Sequence, residues 1–349
     1  MNEKIKVGIL GATGSVGQKF IELLNNHPWF EIAEVAASDK SAGKKYSEAV
    51  NWIQSAPIQE RVSEMKIKKC DTNLESKILF SALDSGVAGE IEKELSGAGF
   101  LIISNSKNHR FDMNVPLIVP EVNPNHLALI ESQSTKGAIV TNPNCSTIGL
   151  VLALKPLIDV FGIDCFNVVT MQALSGAGYP GVSSLDIIDN IIPFISGEEE
   201  KLEKEPLKIF GEFNQNQIEP AKIKISASCN RVAVIDGHTE VVQINLKNKA
   251  TKDEIIEVWK KFKSIPGTMN LPSAPLNPIY YFEDEKYPQP KLHRNIDKGM
   301  AVSIGRLRKC NLFDYKFVIM SHNTIRGAAG GTILIAELMK AQNILEKYL

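Results

Sequence analysis

The sequence predicts an α/β protein: an N-terminal parallel sheet wound with helices, followed by an α+β unit. Three observations lead there. A short apolar strand passes through a glycine-rich turn into an amphipathic helix at the very start of the chain. Strand and helix patterns then alternate up to about residue 144. From Cys145 onward the alternation stops and strand patterns dominate. The 349 residues suffice for two domains, each with its own core.

The first strand is Lys6-Val7-Gly8-Ile9-Leu10, and Gly11-Ala12-Thr13-Gly14-Ser15-Val16-Gly17 follows it. Val16, Phe20, Leu23 and Leu24 recur at helical spacing on one face. Asn25-Asn26-His27-Pro28 ends that helix, and Glu31 to Ala37 is the second strand. A β-α-β unit with glycines at its first turn suits a Rossmann-like dinucleotide-binding domain. There the pyrophosphate approaches the backbone at a helix N-terminus. The spacing is G-x-x-G-x-x-G, and Gly11, Thr13, Gly14, Ser15 and Val16 are the expected contacts. An NAD site would place an acid at the end of the second strand. Asp39 falls one residue late, whereas Ser38, Ser41, Lys44 and Lys45 could receive a 2′-phosphate, which favours NADP. The competing interpretation is a solvated polar loop.

Lys77 to Leu83 and Phe100 to Asn105 read as the next strands, with a helix from Asp84-Ser85-Gly86 to Leu95 between them. Ser85 and the segment Ser106-Lys107-Asn108-His109-Arg110 lie in loops at the ligand edge of such a sheet. The cationic loop suits an anion or is simply solvated. A proline-rich stretch, a helical segment through Leu127 and Ile130 and the strand Ala138-Ile139-Val140 lead to Cys145. A long apolar helix then runs to Gly162. Strands are expected at Phe166–Gln172, Ile223–Ala227, Val232–Leu246 and Met300–Leu307, and helices at Val182–Ile192, Glu198–Phe210 and Thr251–Phe262. The final helix, entered through Asn323-Thr324-Ile325-Arg326-Gly327, is expected to pack back on the first domain. The division is therefore 1–144 plus 323–349 against 145–322.

Hydrophobic and charged fractions of 44% and 23% are ordinary for a soluble globular protein, and the net charge is −1. This disfavours a nucleic-acid or acidic-membrane surface. Five scattered cysteines, no C-x-x-C and no His/Cys cluster of zinc spacing argue against a disulfide framework or a metal site. No signal-peptide architecture and no apolar run of roughly 20 residues is visible, so a cytoplasmic protein is expected.

Cys145 falls where a strand ends and a helix begins. Free N–H groups and the helix dipole favour a thiolate there, hence a nucleophile. A buried structural cysteine is the alternative. Of six histidines, His27 and His126 read as surface residues. His238 interrupts an apolar region after Asp236-Gly237. Arg231 and His238 are seven residues apart, so they share a pocket only if the chain bulges or bends at Asp236-Gly237. Gln172 to Gly181 is a second glycine-rich stretch, loose enough for a backbone to pass a flat ring.

Taken together, Gly11 to Gly17, Ser104 to Asn108, Asn142 to Thr147, Gln172 to Gly178, Arg231 with His238, and Asn323 to Gly327 resemble the aspartate-β-semialdehyde dehydrogenases of archaea, fungi and some bacteria, over essentially the full length. The resemblance implies reduction of L-aspartyl-4-phosphate by NADPH to L-aspartate 4-semialdehyde and phosphate, reversibly, through a thioester. The step leads towards lysine, threonine and methionine. It implies Cys145 as nucleophile, His238 as acid/base residue and Gln172 as the residue orienting the bound substrate or intermediate. It implies Arg231 on the substrate carboxylate, with one of Lys107, Asn108 and Arg110 on phosphate or carboxylate. Glu198 would hold the substrate amino group and Lys201 the phosphate, although the register among Glu198, Glu199 and Glu200 stays open. Asn144 and neighbouring N–H groups would hold the oxyanion, and Ser175, Gly176, Asn323 and Thr324 the nicotinamide side of the cofactor. The family forms homodimers or homotetramers through the second domain. Rival readings are an acyl-CoA reductase of the malonyl-CoA type on the same scaffold, N-acetyl-γ-glutamyl-phosphate reductase, which the Asn-Cys-Ser-Thr context disfavours, and a non-catalytic dinucleotide-binding paralogue.

Overall fold

Runs of apolar residues buried on both faces build the first sheet. In the computed structural model, which describes residues 3–349, its strands are β1 (Ile5–Leu10), β2 (Phe30–Ala37), β3 (Lys68–Lys69), β4 (Ile78–Ser81), β5 (Leu101–Ser104) and β6 (Ala138–Thr141). All are parallel, in the order β3-β2-β1-β4-β5-β6. β4, β5 and β6 are buried at every position, as a sheet covered by helices on both faces requires. Helices α1 (Ser15–Leu23) and α2 (Ser85–Gly97) are two of the crossovers. A Cβ on Gly17 would lie 2.3 Å from the Gly11 carbonyl oxygen, so glycine lets α1 start tight against the turn. The order reverses between β1 and β4, which opens a crevice at their C-terminal ends.

The third helix, α3 (Cys145–Phe161), leaves that edge and enters a second core. There it lies against a mixed sheet of order β10-β7-β11-β14-β13-β12. Its strands are β7 (Ile163–Gln172), β10 (Lys224–Arg231), β11 (His238–Leu246), β12 (Ile279–Phe282), β13 (Val302–Lys309) and β14 (Tyr315–Ser321). Between β7 and β10 come α4 (Glu198–Ile209) and a small hairpin, β8 (Glu212–Asn214) with β9 (Gln217–Glu219). α5 (Lys252–Lys261) starts in a complete capping box, with Thr251 and Glu254 each satisfying the other's backbone N–H. The last helix, α6 (Gly330–Ala341), returns to the first core: Ile333, Leu334, Ile335, Leu338 and Met339 pack with Val7, Phe20 and Ile103.

Several expectations need correction. The strand expected from Val232 starts only at His238, because the preceding residues cross over the end of β7. A helix expected over Val182–Ile192 shrinks to one turn, Ser184–Ile187. Leu185, Ile188, Ile191 and Phe194 find no core within the chain and remain exposed. The segment through Leu127 and Ile130 is 3-10 rather than α-helical. His27 and His126 are buried, not superficial. His27 Nε2 meets the buried Glu337 carboxylate at 2.8 Å, and its Nδ1 accepts the Trp29 and Phe30 N–H groups. His126 accepts from Asn123 at Nδ1 and donates from Nε2 to the Gly211 carbonyl, so both ring nitrogens are satisfied by the neutral form.

Burial lowers the His126 pKa to about 4 from its usual 6.5. The unfolded chain therefore binds the extra proton first. The stability due to this group is complete above pH 6.5 and declines as pH falls towards 4, by about 3 kcal/mol in total. Urea unfolding between pH 7 and pH 4 should show that decline, and His126→Gln should flatten it.

Candidate active site

Asn144 caps α3, its Oδ1 accepting the N–H groups of Ser146 and Thr147 at 3.0 and 3.4 Å. Cys145 is thereby the first helical residue, at the edge of the first sheet. The turn is pressed from the other side by the segment Ile325–Ala329, and a Cβ on Gly327 would come within 2.7 Å of the Cys145 Cβ. Arg326 anchors that segment through two hydrogen bonds of 2.6 Å to Glu121, both side chains fully buried.

The second sheet brings the other groups. Arg231 ends β10 opposite Gln172, the last residue of β7, and β11 begins at His238 on the other side of β7. The three side chains thus share a row on one face of the sheet. The irregularity expected at Asp236-Gly237 is real, but it takes the form of a crossover loop rather than a bulge within one strand. Gly237 has φ +99°, and its N–H donates to Asn323 Oδ1 at 2.8 Å while Asn323 Nδ2 donates to Ser175 Oγ at 2.8 Å. His238 Nε2 then lies 3.2 Å from Cys145 Sγ. Its Nδ1 accepts the Ala173 N–H at 3.0 Å, so the neutral ring carries its proton on Nε2, facing sulfur. Arg231 Nη1 donates to the Ala173 carbonyl at 2.7 Å.

Electrostatics set the resting state of this pair. Burial, aided by the Glu198 carboxylate, pushes the Cys145 thiol up to about 12, although Lys201, Arg110 and Arg231 pull the other way. Burial and Arg231 bring His238 down to about 3. Burial thus disfavours both the thiolate and the imidazolium, against the three cations that favour the thiolate. Burial also opposes ionisation of Glu198. Lys201, and hydrogen bonds from Asn144 Nδ2 at 2.8 Å and Gln172 Nε2 at 3.2 Å, nevertheless hold its pKa below the usual range.

Cys145 opens into a cavity of about 390 Å³ whose lining includes Lys107, Arg110, Asn144, Gln172, Glu198 and Lys201. Ser175, Gly176, Asn323 and Thr324 line the same cavity. Ser15, Val16 and Ser85 line it too, and Ser15 and Val16 continue into a groove of about 710 Å³ with Gly11, Thr13, Gly14 and Ser38. Of the three glutamates, Glu198 alone lines the cavity. Glu199 accepts the Cys229 N–H, and Glu200 lies at the surface with Lys204.

Four expected residues are placed differently. Asn108 turns from the cavity to Ser106 and the Ser85 carbonyl, because it supports the start of α2. Ser41 sits in a turn closed on the Ser38 carbonyl and does not line the groove, while Lys45 pairs with Glu64. Arg110 reaches the cavity wall, but its Nη1 donates to Glu205 and its Nη2 to the Asn105 carbonyl. Lys69 was not anticipated: it lines the groove 3.2 Å from Asp39, brought there by the two-residue strand β3, too short to read as a pattern. Among the described residues, no group of three or more His, Cys, Asp or Glu is arranged to hold a metal ion.

Two family models match the chain: the semialdehyde dehydrogenase NAD-binding domain over residues 6–130 and the semialdehyde dehydrogenase dimerisation domain over residues 154–326. An aspartate-semialdehyde dehydrogenase of Archaeoglobus fulgidus is 48% identical over 98% of this chain and 100% of its own. That of Schizosaccharomyces pombe is 49% identical, over 97% and 99% respectively. The crystal structure of the Candida albicans aspartate-semialdehyde dehydrogenase with NADP superposes with a TM-score of 0.91 at 43% identity, covering 98% of this chain and 100% of that one.

Close packing at the nucleophile predicts that Gly327→Ala costs about 1–3 kcal/mol in urea unfolding, because the added methyl meets the Cys145 backbone and Cβ. Gly97→Ala, in open space on α2, should be neutral or stabilising.

Proposed function

The chain belongs to the aspartate-semialdehyde dehydrogenase family, and from that premise we propose that it reduces L-aspartyl-4-phosphate to L-aspartate 4-semialdehyde and phosphate, reversibly, with NADPH. The step lies on the route to lysine, threonine and methionine. The observation that carries the reading is the 3.2 Å contact of Cys145 with His238, Cys145 lining a cavity that shares Ser15 and Val16 with a glycine-lined groove.

That groove fits a dinucleotide. Gly11, at φ +71°, and Gly14 leave the α1 N-terminus open to a pyrophosphate, while Ser38 and Lys69 lie where a 2′-phosphate would rest. Ser175, Gly176, Asn323 and Thr324 would flank the nicotinamide. The bound cofactor supplies or accepts the hydride at the carbonyl carbon. Cys145 Sγ bonds to that carbon, phosphate departs and a thioester results. The positive charges of Lys201, Arg110 and Arg231 ease loss of the thiol proton. The thiol proton leaves with the departing phosphate, and the Nε2–H of His238, its tautomer fixed by the Ala173 N–H on Nδ1, donates a hydrogen bond to the sulfur as that proton is lost. With Ser146, Thr147 and Ile148 N–H already bonded to Asn144, the Cys145 N–H and the remaining Asn144 Nδ2 hydrogen would stabilise the oxyanion. Arg231 takes the substrate carboxylate as a guanidinium fork, Glu198 takes the amino group, and Gln172 orients the carbonyl carbon over sulfur. Lys201 and Lys107 converge on the phosphate, with Arg110 at the cavity wall.

We assign 1–144 plus 323–349 to the cofactor domain and 145–322 to the catalytic and dimerisation domain. A homodimer or homotetramer would cover Leu185, Ile188, Ile191 and Phe194, which are exposed in the single chain. All five cysteines are free, which suits a reducing cytoplasm. No helix among the described residues is long and apolar enough to cross a membrane.

The test is phosphate-dependent oxidation of L-aspartate 4-semialdehyde with NADP and, separately, NAD. Activity is expected with NADP and should fall about a thousandfold or more in Cys145→Ser. Reduction of malonyl-CoA with no such oxidation would select the acyl-CoA reductase instead. In the same assay Lys69→Ala should raise KM for NADP about tenfold and leave KM for NAD unchanged.

A further inference from the structure

Helix α4 presents Glu198, Lys201, Glu205 and Lys208 at spacings of three, four and three, which place them on one face. Glu198 and Lys201 belong to the site already described. Glu205 lies beyond it and is completely buried. One of its carboxylate oxygens accepts from Arg110 Nη1 at 2.8 Å, and the other accepts the backbone N–H of Asn144 at 2.7 Å. One turn on, Lys208 Nζ donates at 2.8 Å to the carbonyls of Arg110, Asp112 and Val115, so the loop after β5 hangs on the same helix.

Asn144 is thus gripped twice from α4, at its side chain by Glu198 and at its backbone by Glu205. It is the residue that sets Cys145 at the helix start. We propose that Glu205 is a positioning residue of the reaction, locking the anion-facing loop of Lys107 and Arg110 to the Asn144–Cys145 turn so that nucleophile and leaving group keep a fixed separation. A buried ion pair adds little net stability over apolar packing of the same volume, so stability alone is a poor reason to bury one here. Orientation is a better one, because small misplacements of reacting groups cost large factors in rate. The neutral amide of Glu205→Gln cannot accept from both donors, since its nitrogen must face one of them.

The inference rests on the Cys145 chemistry proposed above, and its test separates the two. In phosphate-dependent oxidation, Glu205→Gln should lower kcat about tenfold or more and raise KM for phosphate comparably. KM for the semialdehyde and the NADP dissociation constant should stay within about twofold. An unaltered kcat and phosphate KM would overturn the proposal. A second measurement needs no substrate: iodoacetamide alkylation of Cys145, followed by peptide mass. Its rate should change about threefold or more in Glu205→Gln and stay constant in Glu200→Gln at the surface. An equal rate in both variants overturns the positioning role. Wild-type protein without phosphate-dependent oxidation overturns the functional reading, and the alkylation result still decides the role of Glu205.

Discussion

The 3.2 Å contact between Cys145 Sγ and His238 Nε2 joins two sheets that share no strand. Cys145 hangs from the edge of the first sheet and His238 begins a strand of the second. Neither is useful unless the two cores hold a constant relation. Buried polar clamps help to fix that relation. Arg326 to Glu121 ties the segment behind Cys145, Asn323 ties the Gly237 bend to Ser175, and Glu205 ties the Asn144 turn to Arg110. Hydrogen bonds have directions and dispersion contacts do not, so clamps of this kind specify angle as well as distance.

Much of this was legible in the chain. The glycine turn before α1, the strand–helix joint at Cys145 and the return of α6 to the first core follow from local pattern, because each needs only one element and its neighbours. The approach of Arg231 and His238 on either side of Gln172 was also legible, since an odd separation demanded a break and Gly237 offered one. The form of the break was not legible. A bulge and a crossover around β7 leave the same local sequence, and only strand pairing separates them. The buried histidines were misread for a similar reason. His27 and His126 stand beside helix ends, but their partners Glu337 and Gly211 are remote in sequence. The apolar residues of 185–194 had the converse problem: helical spacing was present, and the single chain supplies no core to receive it. At the site, the fate of Asn108 depended on Ser85 and Ser106, and that of Arg110 on Glu205, contacts that no spacing rule could reveal.

Two large effects compete at the sulfur. Three cations near the sulfur favour the thiolate, and enclosure by protein opposes it. Glu198 adds to the enclosure's side, because its carboxylate stays charged against burial through Lys201, Asn144 and Gln172. On the assignment proposed above, the substrate ammonium binds that carboxylate. Its charge would then be offset in a medium where Coulomb energies are several times those in water. The opposition to the thiolate falls at the moment when a carbonyl stands over Sγ, while the helix terminus and the three cations remain. Nucleophilicity would then be coupled to occupancy by electrostatics alone, with no movement of Cys145. That economy requires the cavity wall to be rigid, because a displaced Asn144 would move both the Glu198 hydrogen bond and the sulfur. The two-point grip of α4 on Asn144 meets that requirement.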